Sequence, residues 1–169
     1  MENPTGPNPE TPVKPAPASA GAPAEAAPAD GPDPAIEALR GQFLNGIGWF
    51  YWIGGLSIVN IGMSFIGRKF LFGLGITEFV DGFAQAGGSV SIPLLAVSVL
   101  ISLGFMGLGF QGRKGKQAFI MAGLALYAAD ALLLVGVQDW LSVAFHAYAG
   151  FSIFRGYTAL KKIVAGVSG

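Results

Sequence analysis

The stretch GLGITEFVDGFAQ, residues 73–85, sets two carboxylates, Glu78 and Asp81, inside an otherwise apolar run. Glu78, Asp81 and Gln85 recur at i, i+3 and i+7, so a helix here carries one polar stripe. Whether that helix crosses a membrane decides the topology of the chain.

The surroundings favour lipid as solvent. The chain has 169 residues, 52% hydrophobic and 12% charged, against about 25% charged in ordinary soluble domains. Six of the ten acidic residues lie before residue 40, which leaves the rest poorer in charge still. The net charge is zero and no basic stripe is interleaved with aromatics, so nothing offers a nucleic-acid surface. With no cysteine, disulfides, thiolate metal sites and cysteine nucleophiles are excluded.

Ten of the eleven prolines fall in residues 1–36, among Ala and Gly that offer little to bury. This segment is expected to stay disordered or partly polyproline II, giving a tail over 1–40 and a helical domain over 41–169. It lacks the basic start and apolar run of a signal peptide.

Five apolar segments follow, at residues 44–66, 70–86, 91–110, 117–137 and 140–164. A span needs about 20 residues to cross about 30 Å of hydrocarbon, which all but the second meet. Lipid offers the backbone no partners, so these segments are predicted to be helices. Pro93 fits a first turn, where its missing N–H costs nothing. Asp139 suits the N-cap of the last helix. Short connections predict antiparallel neighbours, and Trp49, Tyr51, Trp52 and Trp140 fit interfacial positions.

The fold class expected is an all-α integral membrane bundle of five transmembrane helices; the alternative is four spans plus one surface helix. With five spans the tail lies outside and the C-terminus in the cytoplasm. Arg68, Lys69, Arg113, Lys114, Lys116, Lys161 and Lys162 then all face the cytoplasm, as the positive-inside rule asks. With four, the tail lies inside and only Arg68 and Lys69 fall outside, which also scores acceptably. Each acid at a helix centre opposes insertion by about 2.5–3.5 kcal/mol. Surface helices, however, carry Lys and Arg toward headgroups rather than an acidic stripe. The acidic stripe therefore points to donors on neighbouring helices, and to five spans.

The candidate buried polar cluster is Asn60, Glu78, Asp81, Tyr127, Asp130, His146 and Arg155. At about 1.5 Å per residue, Asn60, Glu78 and Arg155 are expected to share one layer on the cytoplasmic side. Asp81 is expected near the midplane, with Asp130 holding His146 further out and Tyr127, at i−3, orienting Asp130. His146 and Arg155 are nine residues apart and face opposite ways, so Arg155 either meets Glu78 or snorkels to headgroups. The cluster reads as an interhelical clamp, or as a proton acceptor with a histidine relay. One histidine with scattered carboxylates makes no metal site. No nucleophile elbow or dinucleotide loop is present, so neither a catalytic centre nor a cofactor is expected.

Two further patterns stand out. GRKFLFGLGITEFVDGFA from Gly67 aligns with GRKGKQAFIMAGLALYAADALL from Gly112, matching Asp81 to Asp130 as a parallel repeat would. Ser91, Ser98 and Ser102 form one small face, and Gly46, Gly48, Gly54, Gly55, Gly62, Gly104, Gly107 and Gly109 suit close helix packing.

The ending DWLSVAFHAYAGFSIFRGYTALKKI, with ALYAADALL before it, resembles a family of small bacterial integral membrane proteins of unknown function. The resemblance covers about residues 45–164 and implies the bacterial inner membrane. It implies no activity. The function expected is a structural or accessory membrane protein, partnered by the bilayer and by a second copy or another membrane protein. The alternative is a small proton- or ion-coupled transporter working as an oligomer.

Overall fold

Helix α1, Pro34–Ser64, opens on a local cap. The Asp33 carboxylate accepts the Ala35 N–H at 2.8 Å, and Pro34 takes the first helical position. The chain is therefore helical from residue 34, several residues before the expected tail boundary. Leu39 and Phe43 account for this, since both pack into the core with Ala159 and Leu160. The computed structural model describes residues 31, 33–64, 66, 73–86 and 91–167, and Pro32–Gly169 form one compact unit. The disorder expected for the Pro-rich segment, and the placement of Arg68 and Lys69, lie outside the described residues.

Four more helices follow: α2 Gly75–Gln85, α3 Ile92–Arg113, α4 Gln117–Gly136 and α5 Trp140–Val167. Among the described residues the fold is all-α. Pro93 lies in the first turn of α3. The α4 helix ends with Gln138 at φ 60°, and the Asp139 N–H reaches the Leu134 carbonyl at 3.1 Å, closing a left-handed C-terminal motif. Asp139 then caps α5, accepting the Ser142 N–H at 3.2 Å and the Ser142 hydroxyl at 2.6 Å.

The four long helices form a ring in which each neighbour runs antiparallel. Gly46 of α1 meets Gly156 of α5, and Trp49 meets Phe145 and Tyr148. Phe50 of α1 meets Gly109 of α3, and Gly54 meets Met106, so the order of contacts reverses along α3. Gly112 meets Ile120 across the α3–α4 turn, and His146 of α5 meets Asp130 of α4.

Two expectations are corrected by this register. Since α1 and α3 are antiparallel, α3 starts at the end where α1 stops, so α2 does not carry the chain across. At 1.5 Å per residue its 11 residues cover about 16 Å, half a hydrocarbon core. The start of α1 and the end of α5 also lie together, because Gly46 sits against Gly156. They are not at opposite ends, as five crossings require. The repeat relating α1–α2 to α3–α4 fails likewise, since it needs α1 and α3 parallel.

Glycine makes room for the core. Phe50 enters a notch left by Gly109 and Gly123, where a Cβ would collide with its Cβ and its ring respectively. Each long helix then contributes one aromatic to a column: Phe50 to Phe105 at 5.0 Å, Phe105 to Tyr127 at 5.7 Å, and Tyr127 stacked on His146 at 4.2 Å. By contrast Gly48, Gly55, Gly62, Gly104 and Gly107 have nothing within 4 Å of a Cβ, so five of the eight expected packing glycines face outward.

Candidate functional site

Any helix leaves its first N–H groups without intrahelical partners. Helix α2 begins inside the bundle, where water is not at hand to supply them. The bundle supplies them instead. The Leu74 N–H donates to Ser57 Oγ on α1 at 2.7 Å. The Gly75 and Ile76 N–H groups donate to Asp130 Oδ2 and Oδ1 on α4 at 2.8 and 2.7 Å. The Thr77 N–H closes on the Leu74 carbonyl at 3.1 Å, which also accepts the Thr77 hydroxyl at 2.7 Å. Asp130 thus caps a helix 54 and 55 positions away, with its carboxyl oxygens at the positive end of the α2 dipole.

Gly75 permits the approach. A Cβ there would stand 2.9 Å from Leu134 Cδ2. Leu74 lies at the level of Ser57, two turns back from the end of α1, so α2 starts at depth and rises toward the start of α3. Its far end is tied there by the Ser91 N–H, which donates to the Ala84 carbonyl at 2.9 Å.

His146 completes the cap from α5. Its Nε2 lies 2.9 Å from Asp130 Oδ2, and its Nδ1 2.8 Å from the Ser142 carbonyl. A carbonyl has only lone pairs to offer, so Nδ1 bears hydrogen. The Nε2–Oδ2 contact then holds one proton. Carboxylate with imidazolium, or carboxylic acid with neutral imidazole, both satisfy it, and both leave the pair neutral. Removing that proton sets a lone pair against a carboxylate; adding one strips Asp130 of acceptor capacity toward α2. The Ser142 carbonyl cannot relay protons, so the chain from His146 to Asp139 is a brace rather than a wire.

The two acids of the opening stretch have separate partners. Buried Asp81 accepts the Ser98 hydroxyl of α3 at 2.6 Å, and Ser102 in turn donates to the Ser98 carbonyl at 2.9 Å. Half-buried Glu78 accepts the Asn60 amide of α1 at 3.2 Å. The acids are solvated by neighbouring helices, on a helix too short to span.

Of the seven candidate residues, Asp130, His146 and Tyr127 come together, Asp81 and the Asn60–Glu78 pair follow along α2, and Arg155 stands apart. Arg155 is exposed beside the start of α1, where its carbonyl accepts the Gln42 amide at 3.2 Å. Asn60 lies fourteen residues beyond Gly46, about 21 Å along the helix. The shared layer expected for Glu78, Arg155 and Asn60 is therefore corrected: it assumed a spanning α2 and so placed Arg155 at the wrong end. Ser57, Gly75 and Ser142 were not singled out in the sequence; only the i, i+3 spacing of Ser57 to Asn60 hinted at a polar face on α1. Tyr127 does not orient Asp130 through its phenol, whose oxygen is buried without a hydrogen-bond partner among the described residues.

Two cavities adjoin the site. One of about 410 Å³ lies between α2 and the end of α4, lined by Glu78, Phe83, Leu134 and Asp139. The other, about 610 Å³, runs between α3 and α4 beneath α2, walled by Ile101, Phe105, Leu126 and Leu133, with Asp130 in its lining. Among the described residues no group of three His, Cys, Asp or Glu is placed to hold a metal.

The fold and site define a class, a four-helix ring with a half-length helix capped by an Asp–His pair from its neighbours. No family model, curated protein or solved structure matches the chain.

Proposed function

We propose that this is a multi-pass membrane protein in which α1, α3, α4 and α5 cross the bilayer and α2 enters part way from one face. The observation that carries this reading is the inverted polarity of the bundle. Ser57, Thr77, Asp81, Ser98, Ser102, Asp130, Ser142 and His146 are buried, while Phe83, Ile92, Leu100 and Leu132 are 66–76% exposed. Helices α3 and α4 are long and apolar enough to cross a membrane. In α1 and α5, Gly, Asn, His and terminal charges dilute an apolar surface of similar length.

Every described Lys and Arg — Arg40, Arg113, Lys114, Lys116, Arg155, Lys161 and Lys162 — lies at the end shared by the start of α1 and the end of α5. The positive-inside rule then puts that end in the cytoplasm. The bacterial inner membrane, suggested by the family resemblance, is the membrane proposed.

The role proposed for the buried polar residues is structural: they solvate an end of α2 that lipid would leave unpaired. The protein is an accessory membrane component whose working element is the docked α2. A second reading, proton-coupled transport, is favoured by the single proton held between Asp130 and His146 at the start of a half-helix, a placement transporters use for substrate and ions.

The absence of native cysteine makes the test direct. Single cysteines at Gly115 and Gln138 should label from opposite sides of intact cells, Gln138→Cys from outside. A cysteine in the tail, Ala20→Cys, should be protected along with Gly115→Cys. Labelling of the tail from outside would refute the four-crossing reading. In vesicles the parent chain should carry no pH-driven flux and Asp130→Asn should lower stability alone; a flux in the parent that a folded Asp130→Asn variant loses selects the transport reading.

A further inference from the structure

Where α1 and α5 cross at the cytoplasmic end, the structure leaves a cleft of about 230 Å³ whose lining includes Gln42, Asn45, Trp49, Tyr148, Ser152 and Arg155. It exists because Gly46 faces Gly156, and a Cβ on Gly46 would reach within 2.6 Å of the Gly156 Cα. Trp49 and Tyr148 pack edge to face at 5.4 Å and form one wall. Arg155 meets no carboxylate among the described residues; its guanidinium carbon lies 6.0 Å from the centre of the Phe151 ring.

Level and direction matter as much as charge. Gly112 approaches Ile47, and the Arg113 guanidinium lies 6.0 Å from the Tyr51 ring, so the α3–α4 turn stands at the level of Ile47–Tyr51. Arg155, beside Gln42 and Gly46, lies at the same level as that turn with its Lys114 and Lys116. On α5 the residues Tyr148, Ser152 and Arg155 recur at i, i+4 and i+7, one face of the helix. On α1, Gln42, Asn45, Trp49 and Trp52 recur at i, i+3, i+7 and i+10. Both stripes pass from polar or cationic at the membrane boundary to aromatic toward the midplane, where Trp52 and Tyr148 are 68% and 62% exposed.

We infer that this cleft holds the phosphate of an anionic glycerophospholipid, with its acyl chains laid along Trp52 and Tyr148. Arg155 supplies a planar pair of donors suited to phosphate oxygens. Gln42, Asn45 and Ser152 line the space for the glycerol and headgroup hydroxyls. The amphipathic gradient along two facing helices selects a lipid over a soluble anion, which would leave the apolar half uncovered. An anionic headgroup is favoured because Arg155 is the one charged group of the cleft and Arg113, Lys114, Lys116, Lys161 and Lys162 collect at the same end. The inference rests on the membrane reading above.

The test uses the full chain purified in mild detergent. Phosphatidylglycerol, phosphatidylcholine and inorganic phosphate are titrated separately, with native mass spectrometry and thermal shift as readouts. Phosphatidylglycerol should be retained and raise the melting temperature, phosphatidylcholine should do so more weakly, and inorganic phosphate should do neither. Arg155→Ala should weaken lipid retention by about tenfold or more, the worth of a hydrogen bond to a charged group. Arg155→Lys should fall between, and Lys162→Ala should change it by less than about twofold, as a screened surface charge does. Equal retention by Arg155→Ala and the parent chain would overturn the inference. So would equal losses in Arg155→Ala and Lys162→Ala, or a response to inorganic phosphate alone. A chain recovered without detergent in the soluble fraction would instead defeat the membrane reading, before any lipid is added.

Discussion

Asp130 Oδ2 and the Gly75 N–H meet at 2.8 Å across 55 positions of sequence, and through that contact a carboxylate on one helix becomes the cap of another. The geometry is that of an ordinary N-cap with the side chain supplied from elsewhere. It places a carboxyl group, two backbone donors and an imidazole within one buried layer.

Loss of this cap is expected to be costly. Asp130→Ala leaves two buried N–H groups and His146 without their partner, a destabilisation of at least about 2 kcal/mol. The same variant should free α2 before the bundle melts. Thermal unfolding in detergent and thiol labelling of a cysteine placed at Ala86 would check both, and unchanged labelling would count against the cap.

Neighbouring glycines on α1 should behave differently. Gly46→Ala forces a methyl group against the Gly156 backbone, so α1 and α5 must separate and stability should fall by several kcal/mol. Gly48→Ala meets nothing within 4 Å and should be neutral or stabilising by up to about 1 kcal/mol, since Ala favours helix over Gly. Melting temperatures of the two variants provide the comparison.

Tyr127 offers a contrast within one side chain. Its ring stacks on His146 and its hydroxyl is buried with no hydrogen-bond partner among the described residues. Tyr127→Phe should therefore be neutral or mildly stabilising, because it removes an unsatisfied group. Tyr127→Ala opens a cavity in the aromatic column and should cost about 3–5 kcal/mol. A large loss in Tyr127→Phe would mean that the hydroxyl has a role in the folded protein.

The α4–α5 turn carries the pH dependence. Hydrogen bonds from the Ser142 hydroxyl and N–H hold the Asp139 carboxyl below its ordinary value. A carboxyl whose folded value is depressed contributes stability above its unfolded value and loses it as pH falls through the folded one. The contribution should thus be complete at neutral pH and fade below about pH 4. Asp139→Ala should lower stability by about 1 kcal/mol at pH 7 and reduce the acid sensitivity, read from melts between pH 7 and pH 3.

At the same turn Gln138 holds φ at 60°, a strained position for a residue with a Cβ. Gln138→Gly should raise stability by about 0.5–1 kcal/mol, and an unchanged melting temperature would argue that solvent or lipid contacts of Gln138 offset the strain.

Much of the helical pattern was legible along the chain. The third, fourth and fifth apolar segments agree with α3, α4 and α5 to within a few residues, because helix formation in an apolar run depends on local composition and on caps such as Asp139. Asp130 and His146 were readable as partners, since a buried carboxylate and the lone imidazole on adjacent helices have few other options. The need of Glu78 and Asp81 for donors within the protein followed from the same cost of burying a charge.

What local pattern could not supply was direction and depth. Helix α2 starts back at the level of Ser57, and nothing in an 11-residue amphipathic helix says whether it spans, lies flat or enters half way. The outcome rests on contacts between distant residues: Gly46 with Gly156, Gly54 with Met106, and Asp130 with the start of α2. Those contacts make α1 and α3 antiparallel, move Arg155 to the opposite end from Glu78, and make the second apolar segment a short helix capped by its neighbours. Each depends on side-chain volume and hydrogen-bond partners from another helix, so it is set when the helices pack and not when they form.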